Sequence, residues 1–171
     1  MADSIVTVVG NPKAASRTRD AGEAVAAALR DLVDGPAELR TIDLADHGPS
    51  LLGWGSPEVA TLKATVLRAR ALVVASPTYK AAYTGLLKLF LDQFDKDELA
   101  GLPTVALMTG GTAGHALAVE VHLRPVLVEI GASLPARGLF LAGPEVDDPA
   151  PVVQAWLVEA AGPMRRALDR R

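Results

Sequence analysis

The chain has 171 residues, a formal net charge of −3 and a composition that is half hydrophobic, which together predict one domain, residues 1–171, with a substantial core. The complete absence of cysteine excludes disulfides, thiolate nucleophiles and cysteine-ligated metals. The charge gives no reason to expect a nucleic acid partner, no apolar run approaches the length of a membrane span, and the N-terminus lacks a secretory signal, so we expect a cytoplasmic protein.

Apolar runs and helical patterns alternate along the chain. In order, the pattern predicts strand 5–9, helix 16–32, strand 37–44, helix 57–70, strand 71–75, helix 84–94, strand 104–108, helix 113–130, strand 136–141 and helix 152–168. Continuous apolar strands in such an alternation imply a parallel sheet covered on both faces. Right-handed crossovers then favour a flavodoxin-like three-layer α/β sandwich with strand order 2-1-3-4-5. In that order the loops after strands one, three and four border one crevice.

The first of these loops, residues 10–18, leads into a helix whose start suits an anion. Ser16 is a favourable N-cap, and Ser16, Arg17 and Thr18 offer donors beside the free N–H groups of the helix start. Oriented amides and the helix dipole attract phosphate, and Lys13 and Arg17 add positive charge. An ordinary N-cap with solvated basic residues explains this loop equally well. Neither a Walker loop nor the Rossmann glycine fingerprint is present.

The other two loops offer backbone groups and a ring. After the third strand, Pro77 fixes the backbone, and Thr78 and Tyr79 can contact a flat heterocycle. After the fourth strand, Gly110 and Gly111 let the backbone approach a ligand closely. Taken singly, a strand stop and a flexible turn explain these loops. Taken together with the first loop, they combine phosphate chemistry with a slot for a planar ring, which matches the shape and polarity of FMN.

The same three loops carry a resemblance to a known family. They read Gly10-Asn11-Pro12 with Ser16-Arg17-Thr18, Ser76-Pro77-Thr78-Tyr79-Lys80-Ala81 with Gly85, and Thr109-Gly110-Gly111-Thr112 with His115. In this order and spacing, residues 4–141 resemble the NAD(P)H-dependent FMN reductases, and among them the branch that serves alkanesulfonate assimilation. The resemblance implies hydride transfer from C4 of NADPH or NADH to N5 of FMN, with no metal and no catalytic side chain.

The resemblance also implies which residues bind the cofactor. They are Lys13, Ser16, Arg17, Thr18, Pro77, Thr78, Tyr79, Lys80, Thr109, Gly110, Gly111 and Thr112. Those of the first loop hold the phosphate, those of the second line the ribityl chain and ring, and those of the third present N–H groups to the flavin. Lys80 is assigned to the nicotinamide nucleotide, with a solvated lysine as the alternative. Asp147 and Asp148, flanked by prolines, are interpreted as a solvated linker without a catalytic role.

Two features concern assembly, one taken from the resemblance and one from the residues themselves. In this branch the fourth helix often has an inserted residue, sometimes Tyr, that forms a π-bulge at a tetramer interface, whereas this chain reads Glu120-Val121-His122. Helix 84–94 is apolar on more than one side, which predicts a homodimer or homotetramer unless the monomer covers that surface itself. Tyr83 is expected at the same interface.

Three functions follow from the sequence. The first is an NAD(P)H:FMN oxidoreductase that supplies reduced flavin to a two-component monooxygenase. The second keeps FMN bound and reduces a quinone, an azo dye or a metal oxyanion. The third is a non-catalytic FMN-binding redox module.

Overall fold

The computed structural model describes residues 3–170, which form a five-stranded parallel sheet covered by helices. The strands are β1 Asp3–Val9, β2 Ala37–Asp43, β3 Ala71–Pro77, β4 Thr104–Gly110 and β5 Leu139–Ala142. Their order across the sheet is β2-β1-β3-β4-β5, and every pairing is parallel. The predicted strand order is therefore confirmed.

Within residues 3–170, six α-helices connect and flank these strands. They are α1 Arg17–Arg30, α2 Gly48–Leu51, α3 Pro57–Leu67, α4 Gly85–Leu91, α5 Arg124–Glu129 and α6 Ala150–Leu168. Helices α1 and α6 bury their apolar residues on one face of the sheet, and α3, α4 and α5 bury theirs on the other. This is the predicted three-layer sandwich. Within residues 3–170, no helix has both the length and the apolar character needed to cross a membrane.

Hydroxyl side chains begin three of the helices. Ser16, Ser56 and Thr84 are the N-caps of α1, α3 and α4, and each accepts a hydrogen bond from the backbone N–H three residues later. Such caps satisfy N–H groups that the helix itself leaves unpaired. Because Ser16 and Thr84 follow the ends of β1 and β3, they begin α1 and α4 at the same edge of the sheet.

A glycine allows α1 to lie close to the sheet. A Cβ atom at Gly22 would be 2.8 Å from Thr7 Cγ2 and 3.2 Å from Ala75 Cβ. Any side chain here would push the helix away from β1 and β3, and with it the helix start that borders the crevice.

The stretch 113–130 is not the single long helix that its pattern predicts. It consists of a 3₁₀ turn at Ala113–His115, a π-helix at Val119–Leu123 and then α5. The Arg124 N–H bonds to the carbonyl of Val119, five residues back. Pro125 explains the interruption, because it has no N–H for the carbonyl four residues earlier and its ring clashes with that carbonyl. This chain therefore has a π-helix in the fourth helix, as the branch it resembles often does, but without a tyrosine there.

The subunit contact expected for helix 84–94 is also corrected. Helix α4 ends at Leu91; Leu87 and Phe90 are buried, and Leu86 and Leu89 are half-buried against the same core. Tyr83 packs on that core as well. The chain itself thus covers most of the apolar surface of α4, so this surface does not require a second subunit.

Candidate functional site

Loops at the carboxyl ends of β1, β3, β4 and β5 surround a cavity of about 590 Å³, a volume within the ordinary range for ligand pockets. Ten of the twelve residues predicted to bind the cofactor line it: Lys13, Ser16, Arg17, Thr18, Pro77, Thr78, Tyr79, Thr109, Gly110 and Gly111. The structure therefore brings the three predicted loops together at the predicted edge of the sheet.

Lys80 and Thr112 do not line this cavity. Lys80 and Ala81, with φ of 52° and 66°, form the centre of a tight turn that two hydrogen bonds between Tyr79 and Ala82 close. Two central residues at positive φ are typical of a type I′ hairpin turn. The turn leaves Lys80 exposed and holds Tyr79 at the cavity rim. Thr112 is exposed at the start of the following 3₁₀ turn.

Buried polar groups fix the first loop. The Asn11 side-chain oxygen accepts the N–H of Lys13 at 3.0 Å, and its amide nitrogen donates to Thr18 Oγ1 at 3.2 Å. An amide, with separate donor and acceptor atoms, suits both contacts. The buried carboxylate of Asp43, at the end of β2, accepts the N–H of Ala15 at 3.1 Å. Ala15 has a φ of 48°, a strained conformation that this contact stabilises.

A hydroxyl bridge joins the three loops. Thr18 Oγ1 and Thr109 Oγ1 are 2.9 Å apart and buried, and the Thr78 N–H donates to the Thr109 carbonyl at 2.7 Å. The Thr18 hydroxyl is thus committed to contacts within the protein. The backbone N–H groups of Arg17 and Thr18, which also line the cavity, have no acceptor within α1 because they are its first two residues.

A second set of contacts attaches α4 to the end of β1. Ser76 Oγ accepts the N–H of Thr84 at 3.1 Å, and the Thr84 hydroxyl donates to the Gly10 carbonyl. A Cβ atom at Gly10 would lie 2.5 Å from Leu87 Cβ. The close approach of the first loop to α4 therefore requires glycine at position 10.

The two glycines of the third loop serve different purposes. A Cβ atom at Gly110 would be 2.7 Å from the ring of Phe140, whereas one at Gly111 would have no heavy atom within 4 Å. Gly110 is therefore needed for packing, and only Gly111 leaves open space beside the cavity. The sequence pattern did not distinguish these two roles.

A fourth loop, which the sequence interpretation missed, completes the wall. The 3₁₀ turn Gly143–Val146 and Asp147 follow β5 and line the cavity. Asp147 Oδ1 accepts a hydrogen bond from Arg17 Nη1 at 2.8 Å, and this bond, followed by the charge of the carboxylate, raises the pKa of Arg17. The topology was the signal that could have found this loop, since the carboxyl end of β5 lies at the same edge.

One buried group in the wall is unpaired among the described residues. Within residues 3–170, no hydrogen bond reaches the Thr78 side-chain oxygen, although it is buried beside the cavity. Buried polar atoms are nearly always hydrogen-bonded, so such an atom points to a polar ligand group. Together with Lys13, Arg17 and the open N–H groups of α1, this wall fits a ligand that has both an anionic and a neutral polar part.

Comparison with known proteins identifies the family. Residues 4–146 match the family model described as NADPH-dependent FMN reductase. The FMN reductase (NADPH) of Escherichia coli K12 is 33% identical over 98% of this chain and 91% of its own length. An oxidoreductase structure from Corynebacterium diphtheriae has 27% identity and a TM-score of 0.84, covering 99% of this chain and 98% of that one. The NADH:FMN oxidoreductase EMOB, in its apo form, has 32% identity and a TM-score of 0.76, covering 98% and 87%. The resemblance read from the three loops is thereby confirmed, and the chain belongs to the NADPH-dependent FMN reductase family of oxidoreductases, whose cofactors are FMN and a reduced nicotinamide nucleotide.

Proposed function

We propose that this protein reduces FMN with NADPH or NADH and releases the reduced flavin to a flavin-dependent monooxygenase. The observation that carries the proposal is the cavity itself, whose lining combines a basic helix start with Thr78, a residue whose buried hydroxyl oxygen has no hydrogen-bond partner among residues 3–170. Family membership favours an enzyme over a non-catalytic FMN-binding module. The relatives include proteins named for NADPH and for NADH, so both nucleotides are candidates.

The FMN phosphate is assigned to the start of α1. The N–H groups of Arg17 and Thr18 and the positive charges of Lys13 and Arg17 support this assignment, because a helix N-terminus and a guanidinium both favour phosphate. The Ser16 side chain caps α1 and holds this turn in place.

The ribityl chain and flavin ring are assigned to the second and third loops. Thr78 would satisfy its hydroxyl on the ligand, Tyr79 would cover one edge of the ring, and Gly111 leaves room for close approach of the backbone. When bound, FMN accepts a hydride at N5 and carries the redox chemistry. The chain contributes position and hydrogen bonds, and fixed N–H donors favour the negative charge of a reduced flavin.

The exposure of the site supports flavin exchange. The side chains of Arg17 and Asp147 are 68% and 63% exposed, and Tyr79 is 52% exposed at the rim. Charged contacts at such exposure contribute less to affinity than buried ones, because water and salt screen them. A weakly held flavin suits a protein that passes it on, and the branch resemblance points to a monooxygenase as the recipient.

We also propose a homodimer or homotetramer. Leu117, Val121 and Val128 lie along the interrupted fourth helix with 73%, 56% and 55% exposure, and exposed apolar groups on one element favour a subunit contact. Sedimentation velocity of the wild type and of Val121→Asp tests this: the variant is expected to sediment as a smaller species. A wild-type monomer at micromolar concentration contradicts it. The cytoplasmic location stays a prediction.

Anaerobic oxidation of NADPH and NADH, with and without added FMN, tests the proposed reaction. The rate is expected to follow the FMN concentration, and FMN is expected to separate from the protein in gel filtration. Tight retention of FMN together with poor activity on added FMN would contradict flavin supply and favour the bound-flavin reductase of quinones, azo dyes or metal oxyanions.

A further inference from the structure

The guanidinium assigned to the FMN phosphate already has an anionic partner in the protein. Arg17 Nη1 donates to Asp147 Oδ1 at 2.8 Å, across 130 positions of sequence, and both residues line the cavity. A carboxylate and a phosphate use the same N–H donors of arginine. We propose that Asp147 competes with the flavin phosphate for Arg17 and thereby sets how strongly the protein prefers FMN over a flavin without phosphate. This inference rests on the proposed function.

The position and exposure of the Arg17–Asp147 ion pair allow a phosphate to replace Asp147. Arg17 belongs to the first turn of α1, and Asp147 ends the turn after β5, so the bond spans two separate loops. Both side chains are more than half exposed. Among the described residues, the side chain that bonds to the Arg17 guanidinium is that of Asp147. Neither side chain is fixed by burial, so a phosphate can replace the carboxylate without any change in the core.

The charges of the wall determine the direction of the effect. Lys13 and Arg17 are the cations of the lining, and Asp20 and Asp147 are its carboxylates. A flavin phosphate bound to Arg17 must break the bond to Asp147 and then remain near that negative charge. Both effects weaken the binding of FMN and leave the binding of riboflavin, which has no phosphate, unchanged.

A supporting role for Asp147 in phosphate binding would change FMN affinity in the opposite direction. If Asp147 only orients Arg17 for the phosphate, loss of its charge weakens FMN binding. Competition predicts tighter binding instead. Exposed ion pairs of this kind correspond to about a 1.4- to 5-fold change in a dissociation constant, and relief of the repulsion adds to the effect in the same direction.

The test compares Asp147→Asn with Asp148→Asn, its exposed neighbour, which changes the net charge equally but does not line the cavity. Fluorescence titrations with FMN and riboflavin at low ionic strength give the dissociation constants. Asp147→Asn is expected to tighten FMN binding about 1.4- to 5-fold, with riboflavin unchanged and a smaller FMN effect in Asp148→Asn. Weaker or unchanged FMN binding, or equal shifts for both flavins, overturns the competition.

Arg17→Ala separates this failure from failure of the proposed site. If competition acts through Arg17, the effect of Asp147→Asn decreases in the Arg17→Ala background. If Arg17→Ala weakens FMN binding but Asp147→Asn has no effect, the phosphate assignment stands and only the competition is overturned. If Arg17→Ala leaves FMN binding unchanged, the phosphate assignment fails, and the competition fails with it.

Discussion

Replacing Arg17 with alanine is the most direct test of the phosphate assignment. A hydrogen bond that involves a charged group contributes about 1.5–3 kcal/mol. The same guanidinium gives up its exposed ion pair with Asp147 on binding, which offsets about 0.2–1 kcal/mol of that gain. The net loss in the variant is about 0.5–2.8 kcal/mol, so the dissociation constant of FMN is expected to rise about 2- to 100-fold.

Isothermal titration calorimetry with FMN and riboflavin measures this loss. Riboflavin provides the internal control, since its binding does not use the phosphate contact. Arg30→Ala is the matched control variant: Arg30 lies at the other end of α1, forms an exposed ion pair with Asp31 and does not line the cavity. Unchanged FMN binding in Arg17→Ala, or an equal loss for riboflavin, refutes the assignment of the phosphate to this helix start.

Three further changes test the remaining parts of the structure. Thr78→Val removes a buried hydroxyl that has no partner among residues 3–170, so thermal denaturation is expected to show an unchanged or higher melting temperature. FMN and riboflavin are both expected to bind about 2- to 13-fold more weakly. Unchanged or stronger binding of either flavin would contradict a ligand contact. Gly10→Ala places a methyl carbon 2.5 Å from a leucine of α4 and is expected to lower the free energy of unfolding by about 1–3 kcal/mol. Gly111→Ala is its control in urea denaturation, since open space surrounds that position. Equal stability of the two variants would contradict the prediction and show that α4 moves to accommodate the methyl group. Burial raises the pKa of Glu98, but the hydrogen bond from Lys63, a backbone N–H donor and the Lys63 charge together lower it by more. The pKa of Glu98 in the folded protein therefore lies below its ordinary value of 4.5. A carboxyl whose pKa is lowered in the folded state stabilises the fold above its ordinary pKa, and this stability is lost as the pH falls through the folded-state pKa. The stability advantage of the wild type over Glu98→Gln is therefore expected to shrink below pH 4.5. An advantage that stays constant below that pH would refute the lowered pKa.

The layer architecture could be predicted because it depends on patterns that are local in the sequence. Each strand is an apolar run bounded by turn residues, and alternation with helices leaves few sheet orders. The strand ends were less accurate. The apolar run of β3 stops at Ala75, yet Ser76 and Pro77 remain paired with Met108 and Thr109 of β4. Hydropathy does not report where a hydrogen-bonded ladder ends, so the prediction was two residues short.

The contacts that complete the site join residues far apart in the sequence. Thr18 bonds to Thr109 across 91 positions, and Arg17 bonds to Asp147 across 130. No local pattern distinguishes a threonine that forms such a bridge from one that contacts a ligand, and prolines beside Asp147 indicate a linker as readily as a wall. The sequence left the π-helix undecided for a similar reason, because Pro125 disfavours a regular helix but does not specify the hydrogen bonds that replace the lost one.

Backbone strain is concentrated in the loops of the cavity. Among residues 3–170, four non-glycine residues have positive φ, and Ala15, Lys80 and Ala81 belong to the first and second loops. Such conformations cost of order 1–3 kcal/mol each and persist only where other contacts hold them. Asp43 holds Ala15, and two backbone hydrogen bonds close the turn around Lys80. Loops fixed in this way are formed before a ligand arrives, so flavin binding carries little ordering cost. Weak retention must then come from the ligand contacts themselves, and an exposed Arg17 that already bonds to a carboxylate is a physical means to achieve it.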